Sequence, residues 1–319
     1  MPVIEQSEFA VRRSWCAIAS FAALAISTSG HPPSVDALEL PTDARSAKST
    51  PALFEVANGK GGRLRLLGTV HVGNSSLYPL APTVASALAT SRALVLEGPA
   101  SPDDARRAYQ AFAIYPAGTS LWQRLPPALT VRTVRTLDKL HMSKDDVEHL
   151  RPLAVATALE TRDHAAAGYE IRLGTEQILA SMARELGKPI LGLEDPSESI
   201  RLEFQVPEID QIAFLDRTIV DIDSGRNRMD LVRTVDTWRS GDLVGLASLL
   251  DEQLSRMPSG MQRHERATIL QRNEAIAKRL EQFLQSGDDY FVAVGVLHLV
   301  GPQGILNRLN RSGYILNRL

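Results

Sequence analysis

The chain has 319 residues, with 35 Lys and Arg against 37 Asp and Glu, so its formal net charge is −2. Its 44% hydrophobic and 23% charged residues are those of a folded protein with a large core, which excludes a mainly disordered or collagen-like chain. A near-neutral balance and 5% aromatic residues provide neither the basic footprint nor the stacking platforms of nucleic-acid binders, so no nucleic-acid partner is expected.

Arg12 and Arg13 precede an uncharged run, 15–26, rich in Ala, Ile, Leu and Phe, and polar Ser27, Thr28, Ser29 and Gly30 follow. This order is that of a secretory signal. The run is short of the roughly 20 apolar residues that a membrane-spanning helix needs. The expectation is a signal and its polar end at 1–37, with cleavage after Ser29 or Ala37, then a linker at 38–50. The protein is then periplasmic or secreted, with no transmembrane anchor once the signal is removed. An uncleaved anchor or a buried first helix is the alternative. The only cysteine, Cys16, lies inside the signal, so the mature chain would carry no thiol for a disulfide, a nucleophile or a metal thiolate.

Phe54 and Val56 alternate with polar residues, 58–62 supplies turn residues, and Leu64 and Leu66 alternate again, which predicts a hairpin with strands at 53–57 and 63–70. A short helix is expected at 83–90. The apolar run 93–97 has the length of a buried strand and closes at Gly98-Pro99. Helices are expected at 102–113, 126–140, 143–149, 152–167 and 175–186. Another short apolar strand, 190–194, ends in Glu194. Residues 197–285 have helical spacing broken near Pro207, Gly225, Gly241 and Pro258-Ser259-Gly260. The most strand-like segment, 290–296, leads into His298, and a last helix and strand follow Gly301-Pro302. Strands separated by helices indicate an α/β fold. We expect one domain, 51–319, with a central mixed sheet, helices on both faces and a long helical insertion over about 100–285.

Four buried-looking strands end in polar residues: His71, Glu97, Glu194 and His298. Ligand sites of open α/β sheets form outside the carboxyl ends of strands. Two of these ends share a spacing, Gly68-x-x-His71 and Gly295-x-x-His298, and glycine permits close approach of a ligand or another backbone. Two imidazoles and one carboxylate suit a divalent ion with an open position for water, the requirement for amide or ester hydrolysis. Each residue alone has a plainer reading, a hydrogen-bonded structural His or a capping Glu. There is no Gly-x-Ser-x-Gly elbow, no His-Glu-x-x-His, no phosphate loop and no dinucleotide fingerprint.

The sequence resembles the TraB/GumN family, related to the Tiki proteases and more distantly to erythromycin-esterase-like and ChaN-like proteins. The resemblance is carried by 67–73 (LGTVHVG), 94–97 (LVLE), 174–179 (GTEQIL), 187–194 (GKPILGLE), 272–277 (RNEAIA) and 291–302 (FVAVGVLHLVGP). It implies an α/β fold with both Gly-x-x-His motifs at one active site. It implies His71 and His298 as metal ligands and Glu97 as a ligand or the general base, and that donor set admits zinc, manganese, cobalt or iron. Glu194 would orient a His from behind, and Arg272 or Asn273 would face the site as oxyanion donors or carboxylate clamps, at its rim. Glu176 stands where many relatives carry Asp, and a carboxylate in a helix's first turn is already explained by the helix dipole. The implied function is a metal-dependent hydrolase of peptides or another small amide or ester. The rival readings are a non-catalytic protein that sequesters a peptide, a haem or metal carrier, and a metal-free esterase.

Overall fold

The computed structural model describes residues 48–57, 62–98 and 102–319. The expected export signal at 1–37 with Cys16, most of the expected 38–50 linker and residues 58–61 of the expected turn lie outside the described residues.

Six strands form one sheet: β1 (Leu53–Ala57), β2 (Arg63–Thr69), β3 (Ala93–Leu96), β4 (Ile190–Gly192), β5 (Asp289–Gly295) and β6 (Ile315–Arg318), in the order β4-β3-β5-β2-β1-β6. The four strands β4, β3, β5 and β2 run parallel, while β1 is antiparallel to both β2 and β6. The sheet is therefore mixed, as expected. Parallel strands covered on both faces read as continuous apolar runs, which is why 93–96 and 289–295 lack a polar alternation.

Thirteen helices surround the strands among the described residues: α1 (Pro82–Thr90), α2 (Pro102–Ala113), α3 (Leu121–Arg124), α4 (Pro127–Lys139), α5 (Pro152–Ala166), α6 (Thr175–Glu185), α7 (Pro196–Phe204), α8 (Glu208–Asp223), α9 (Arg226–Arg239), α10 (Leu243–Ser255), α11 (Ser259–Gln285), α12 (Val296–Leu299) and α13 (Ile305–Arg311). Pro82, Pro127, Pro152 and Pro196 each open a helix, where a missing N–H costs nothing.

The two faces of the sheet are separate cores. On one, Leu53, Leu67, Leu94, Phe291 and Ala293 pack with α1, α6, α9 and α10. On the other, Leu64, Leu66, Val95, Val292 and Val294 pack with the second half of α11 and with α13. A third core, made by α2, α3, α4, α5, α7, α8 and Met261 at the start of α11, stands apart from both.

The expected helix at 143–149 is a series of turns instead. Asp146 accepts from the Ser143 N–H (2.8 Å) and Ser143 from the Asp145 N–H (3.0 Å). These short side chains offer the backbone an alternative to helical bonding. Strand β4 stops at Gly192, two residues before expected, yet Leu193 and Glu194 still donate to the carbonyls of Leu96 and Glu97 (2.9 and 3.2 Å).

Candidate active site

The parallel register brings the carboxyl ends of β2, β3, β4 and β5 to one edge: Thr69 lies opposite Gly295, and Leu96 lies opposite Ala293 and Gly192. His71, Glu97, Glu194 and the Gly295-x-x-His298 motif are the residues that follow. The two glycine motifs interlock there. A Cβ on Gly68 would lie 2.7 Å from Val296 Cγ2, so the first motif can pack on the second only without a side chain.

Glu97 is 2% exposed. Its Oε2 accepts from the Gly295 N–H at 2.6 Å, and its Oε1 from Arg272 Nη2 at 2.6 Å. Arg272 also donates to Glu194, through Nε at 2.9 Å and Nη2 at 2.5 Å. The guanidinium thus clamps two carboxylates. It is buried, as is Asn273, and neither stands at the rim as the sequence suggested. Glu194 holds Arg272; it is not the partner of a His.

His298 sits in α12 with its Nδ1 2.6 Å from Asn273 Oδ1 and its Nε2 3.5 Å from Glu97 Oε1. The Asn273 amide orientation follows from its Nδ2, which donates to the Gln303 carbonyl at 3.0 Å. Asn273 Oδ1 therefore accepts, Nδ1 of His298 carries the hydrogen, and Nε2 offers its lone pair to the site. His71 places Nδ1 2.9 Å from Glu176 Oε1, and its side chain is 26% exposed, the one imidazole of the pair that meets solvent.

A single point gathers these groups. The place a Cβ of Gly295 would take lies 3.1 Å from Glu97 Oε2, 3.2 Å from His71 Nε2 and 3.7 Å from His298 Cδ2. The absent side chain of Gly295 is the space they share.

Electrostatics separate the two imidazoles. Burial pushes His71 down, but the Glu176 and Glu97 carboxylates outweigh it, so its pKa is raised. Burial, with Arg272 and His71 adding to it, lowers His298 to about 4 against the pull of Glu97. Burial raises Glu194, and the nearby Glu97 charge adds to that, while Arg272 opposes. Arg272 is desolvated, but the two carboxylates more than compensate and hold it protonated.

Two imidazoles and a carboxylate are the residue types that suit a divalent ion. Ligands about 2.0–2.2 Å from a tetrahedral ion stand roughly 3.4 Å from one another, close to the 3.5 Å between His298 Nε2 and Glu97 Oε1. Both imidazoles turn Nδ1 outward to an acceptor and Nε2 inward, the arrangement of histidines whose second nitrogen is reserved for a metal. Two carboxylates, Glu97 and Glu194, share the Arg272 guanidinium, and a third, Glu176, pairs with His71. Among the described residues no three or more His, Cys, Asp or Glu side chains are grouped so as to hold a metal ion as they stand, and both Glu97 oxygens are engaged by Arg272 and the Gly295 N–H.

The sequence profile of the TraB/PrgY/gumN family matches residues 52–318, from the start of β1 to the end of β6. The chain belongs to the TraB/PrgY/gumN family. A protein of Escherichia coli (strain K12) carrying the name Uncharacterized protein YbaP is 24% identical over 237 residues, which are 74% of this chain and 83% of that protein. Its namesake in Shigella flexneri has the same identity and coverage. The family match spans every residue of the candidate site described above.

Sequence reasoning noticed Glu176 but left it without a task, and it missed Thr69, whose hydroxyl donates to Glu176 Oε1 at 2.5 Å. A signal was present in Gly174, a glycine where a helix N-cap usually carries an oxygen. A Cβ there would lie 2.2 Å from the His71 carbonyl oxygen, so the glycine marks a close approach of α6 to the His71 loop.

Proposed function

We infer that this protein is a metal-dependent hydrolase of amide or ester bonds, peptidase-like, that works after export to the periplasm or beyond. The observation that carries the reading is the convergence of Glu97 Oε2, His71 Nε2 and the His298 ring on the space beside Gly295. In this reading His71 and His298 hold zinc, manganese, cobalt or iron through Nε2, and Glu97 is the third ligand or the base. When bound, the ion supplies a Lewis acid for the scissile carbonyl and makes water acidic enough to attack near neutral pH.

The remaining work belongs to the chain. Arg272 pairs with Glu97 and fixes its rotamer, since a buried carboxylate without a donor or cation is costly. The Gly295 N–H holds the other oxygen, so Glu97 has one orientation relative to the imidazoles. Asn273 holds His298 in the tautomer with a free Nε2. The partly exposed His71 is the side from which a substrate reaches the space. Export is supported by Arg12, Arg13 and the apolar run 15–26. No described helix is long and apolar enough to cross a membrane.

One observation favours a second reading. Arg272 already places a cation 2.6 Å from Glu97, so this carboxylate is paired without any metal, as in a metal-free esterase with a Glu–His pair. Metal analysis of the purified protein, followed by peptide-library and ester cleavage with and without a chelator, separates the two. The first reading expects bound metal and cleavage lost to chelator and restored by metal. Chelator-resistant cleavage supports the second. Peptide binding with no cleavage contradicts both and supports sequestration.

A further inference from the structure

We propose that Glu176, braced by Thr69, is the positioning residue that fixes His71 with its hydrogen on Nδ1 and aims Nε2 at the space beside Gly295. This deepens the hydrolase reading and rests on it for its catalytic consequence, but not for its structural one.

Three observations carry it. First, Glu176 Oε1 lies 2.9 Å from His71 Nδ1 and 2.5 Å from Thr69 Oγ1. An ionised carboxylate can only accept, so both neighbours must donate to it. The hydrogen of a neutral His71 ring is then on Nδ1, and the lone pair is on Nε2.

Second, the carboxylate arrives by main-chain register. The Thr175 N–H donates to the Val70 carbonyl at 2.8 Å, and Gly73 and Glu170 exchange hydrogen bonds of 3.0 and 2.7 Å. The backbone of Gly174 packs against the His71 carbonyl at a distance no side chain would allow. The start of α6 is thus seated on the 70–73 loop, with Glu176 beside the ring.

Third, the helix dipole explains an acidic residue in a first turn but not its burial. The Glu176 side chain is only 13% exposed, and a dipole partner has no need to leave water. Desolvation is offset here by the two donors. Asn273 does the same for His298, so each imidazole has its own outer acceptor, a carboxylate for one and an amide for the other. Loss of such an outer partner typically weakens metal binding 10–100-fold.

The length of the side chain matters. Aspartate at this position would end about one carbon–carbon bond, roughly 1.5 Å, short of the ring. Glutamine keeps an acceptor oxygen without the charge, and alanine removes it. Two measurements on the full mature protein test the assignment. Long-range ¹H–¹⁵N correlation spectra of the metal-free protein at alkaline pH read the His71 tautomer. Competition with a chromophoric chelator reads zinc affinity.

The expected result is a single Nδ1–H tautomer in the parent and a mixture in Glu176→Ala. Zinc affinity should fall 10–100-fold in Glu176→Ala and Glu176→Asp, with most of it recovered in Glu176→Gln. Where hydrolysis is measurable, kcat should fall more than KM rises. Thr69→Val, which removes only the second donor, should shift the tautomer populations in the same direction by less; it serves if Glu176→Ala does not fold. A retained single tautomer in Glu176→Ala, or Glu176→Gln no better than Glu176→Ala, overturns the proposal. Failure of the parent to bind zinc would sink the metal reading instead, and the tautomer measurement would still decide the role of Glu176.

Discussion

A methyl group on Gly295 would sit 3.1 Å from Glu97 Oε2 and 3.2 Å from His71 Nε2, inside the space the site needs. The backbone there, φ −47° and ψ 127°, is open to alanine, so Gly295→Ala should fold. It should lose about 100-fold in hydrolysis, the cost of a displacement near 1 Å at a reacting centre. Steady-state kinetics beside a thermal melt checks this, and unchanged kinetics would contradict it. Arg272 makes the opposite prediction. Arg272→Met leaves Glu97 and Glu194 facing each other without their shared cation, which should cost roughly 3–5 kcal/mol in urea unfolding. His71, Glu97 and His298 were legible in the sequence because each closes an apolar strand-length run. Arg272 and Asn273 were legible only through the family resemblance, and their burial was not, because mid-helix spacing among charged neighbours reads equally well as a solvated face. Glu176 was hidden by a sufficient local explanation, the helix dipole.

Elements succeeded or failed in the sequence reading for local reasons. The parallel core strands were visible because burial on both faces leaves unbroken apolar runs. The turns at 143–149 were not, because Ser143 and Asp146 satisfy backbone groups that helical spacing seemed to claim. The joint between α6 and the 70–73 loop is the element-scale feature on which the site depends. Gly174 has φ −66° and ψ 149°, which alanine adopts freely, so it is the approach to the carbonyls of His71, above all, and Ile171 that forbids a side chain. Gly174→Ala should therefore destabilise by about 1–3 kcal/mol through overpacking. Urea midpoints against the parent check it, and a change under about 0.3 kcal/mol would mean that the loop and the helix are not tightly joined.

Across the whole molecule, the segment that the sequence reads as one helical insertion serves both the sheet and a core of its own. Helices α6, α9 and α10 pack on the sheet, while α2 to α5, α7 and α8 form a core of their own. Helix α11 runs between the two kinds of core, from Met261 to Leu284, and carries Arg272 and Asn273 at the middle of that span. Hydrophobic spacing gives a helix its buried stripe but does not say which neighbour covers it, so this division could not be read in advance. A buried polar cluster also joins the two. His164 on α5 contacts Asn227 on α9 at 3.1 Å, and Asp163 accepts from Asn227 and Arg228, each at 2.8 Å. Burial lowers the His164 pKa to about 4, with Asp163 opposing. Above its ordinary value of 6.5 the ring is neutral in both states, and stability is unaffected by its titration. As pH falls from about 6.5 to about 4, the unfolded chain takes up a proton that the folded chain refuses, so stability drops by up to about 3 kcal/mol. The parent should lose about 2–3 kcal/mol more than His164→Gln between pH 7 and pH 4.5; equal losses would contradict the burial of a neutral ring. His298 adds a drop of the same sign in the metal-free protein, which the comparison with His164→Gln cancels.

In the proposed reading, His71, Glu97 and His298 make one metal site. Anomalous diffraction from crystals of the mature protein grown with zinc or manganese tests it most directly. A single strong peak is expected beside Gly295, about 2.0–2.2 Å from Nε2 of both imidazoles and from a Glu97 oxygen. No peak there, or a peak elsewhere while His71 and His298 stay unengaged, would contradict it.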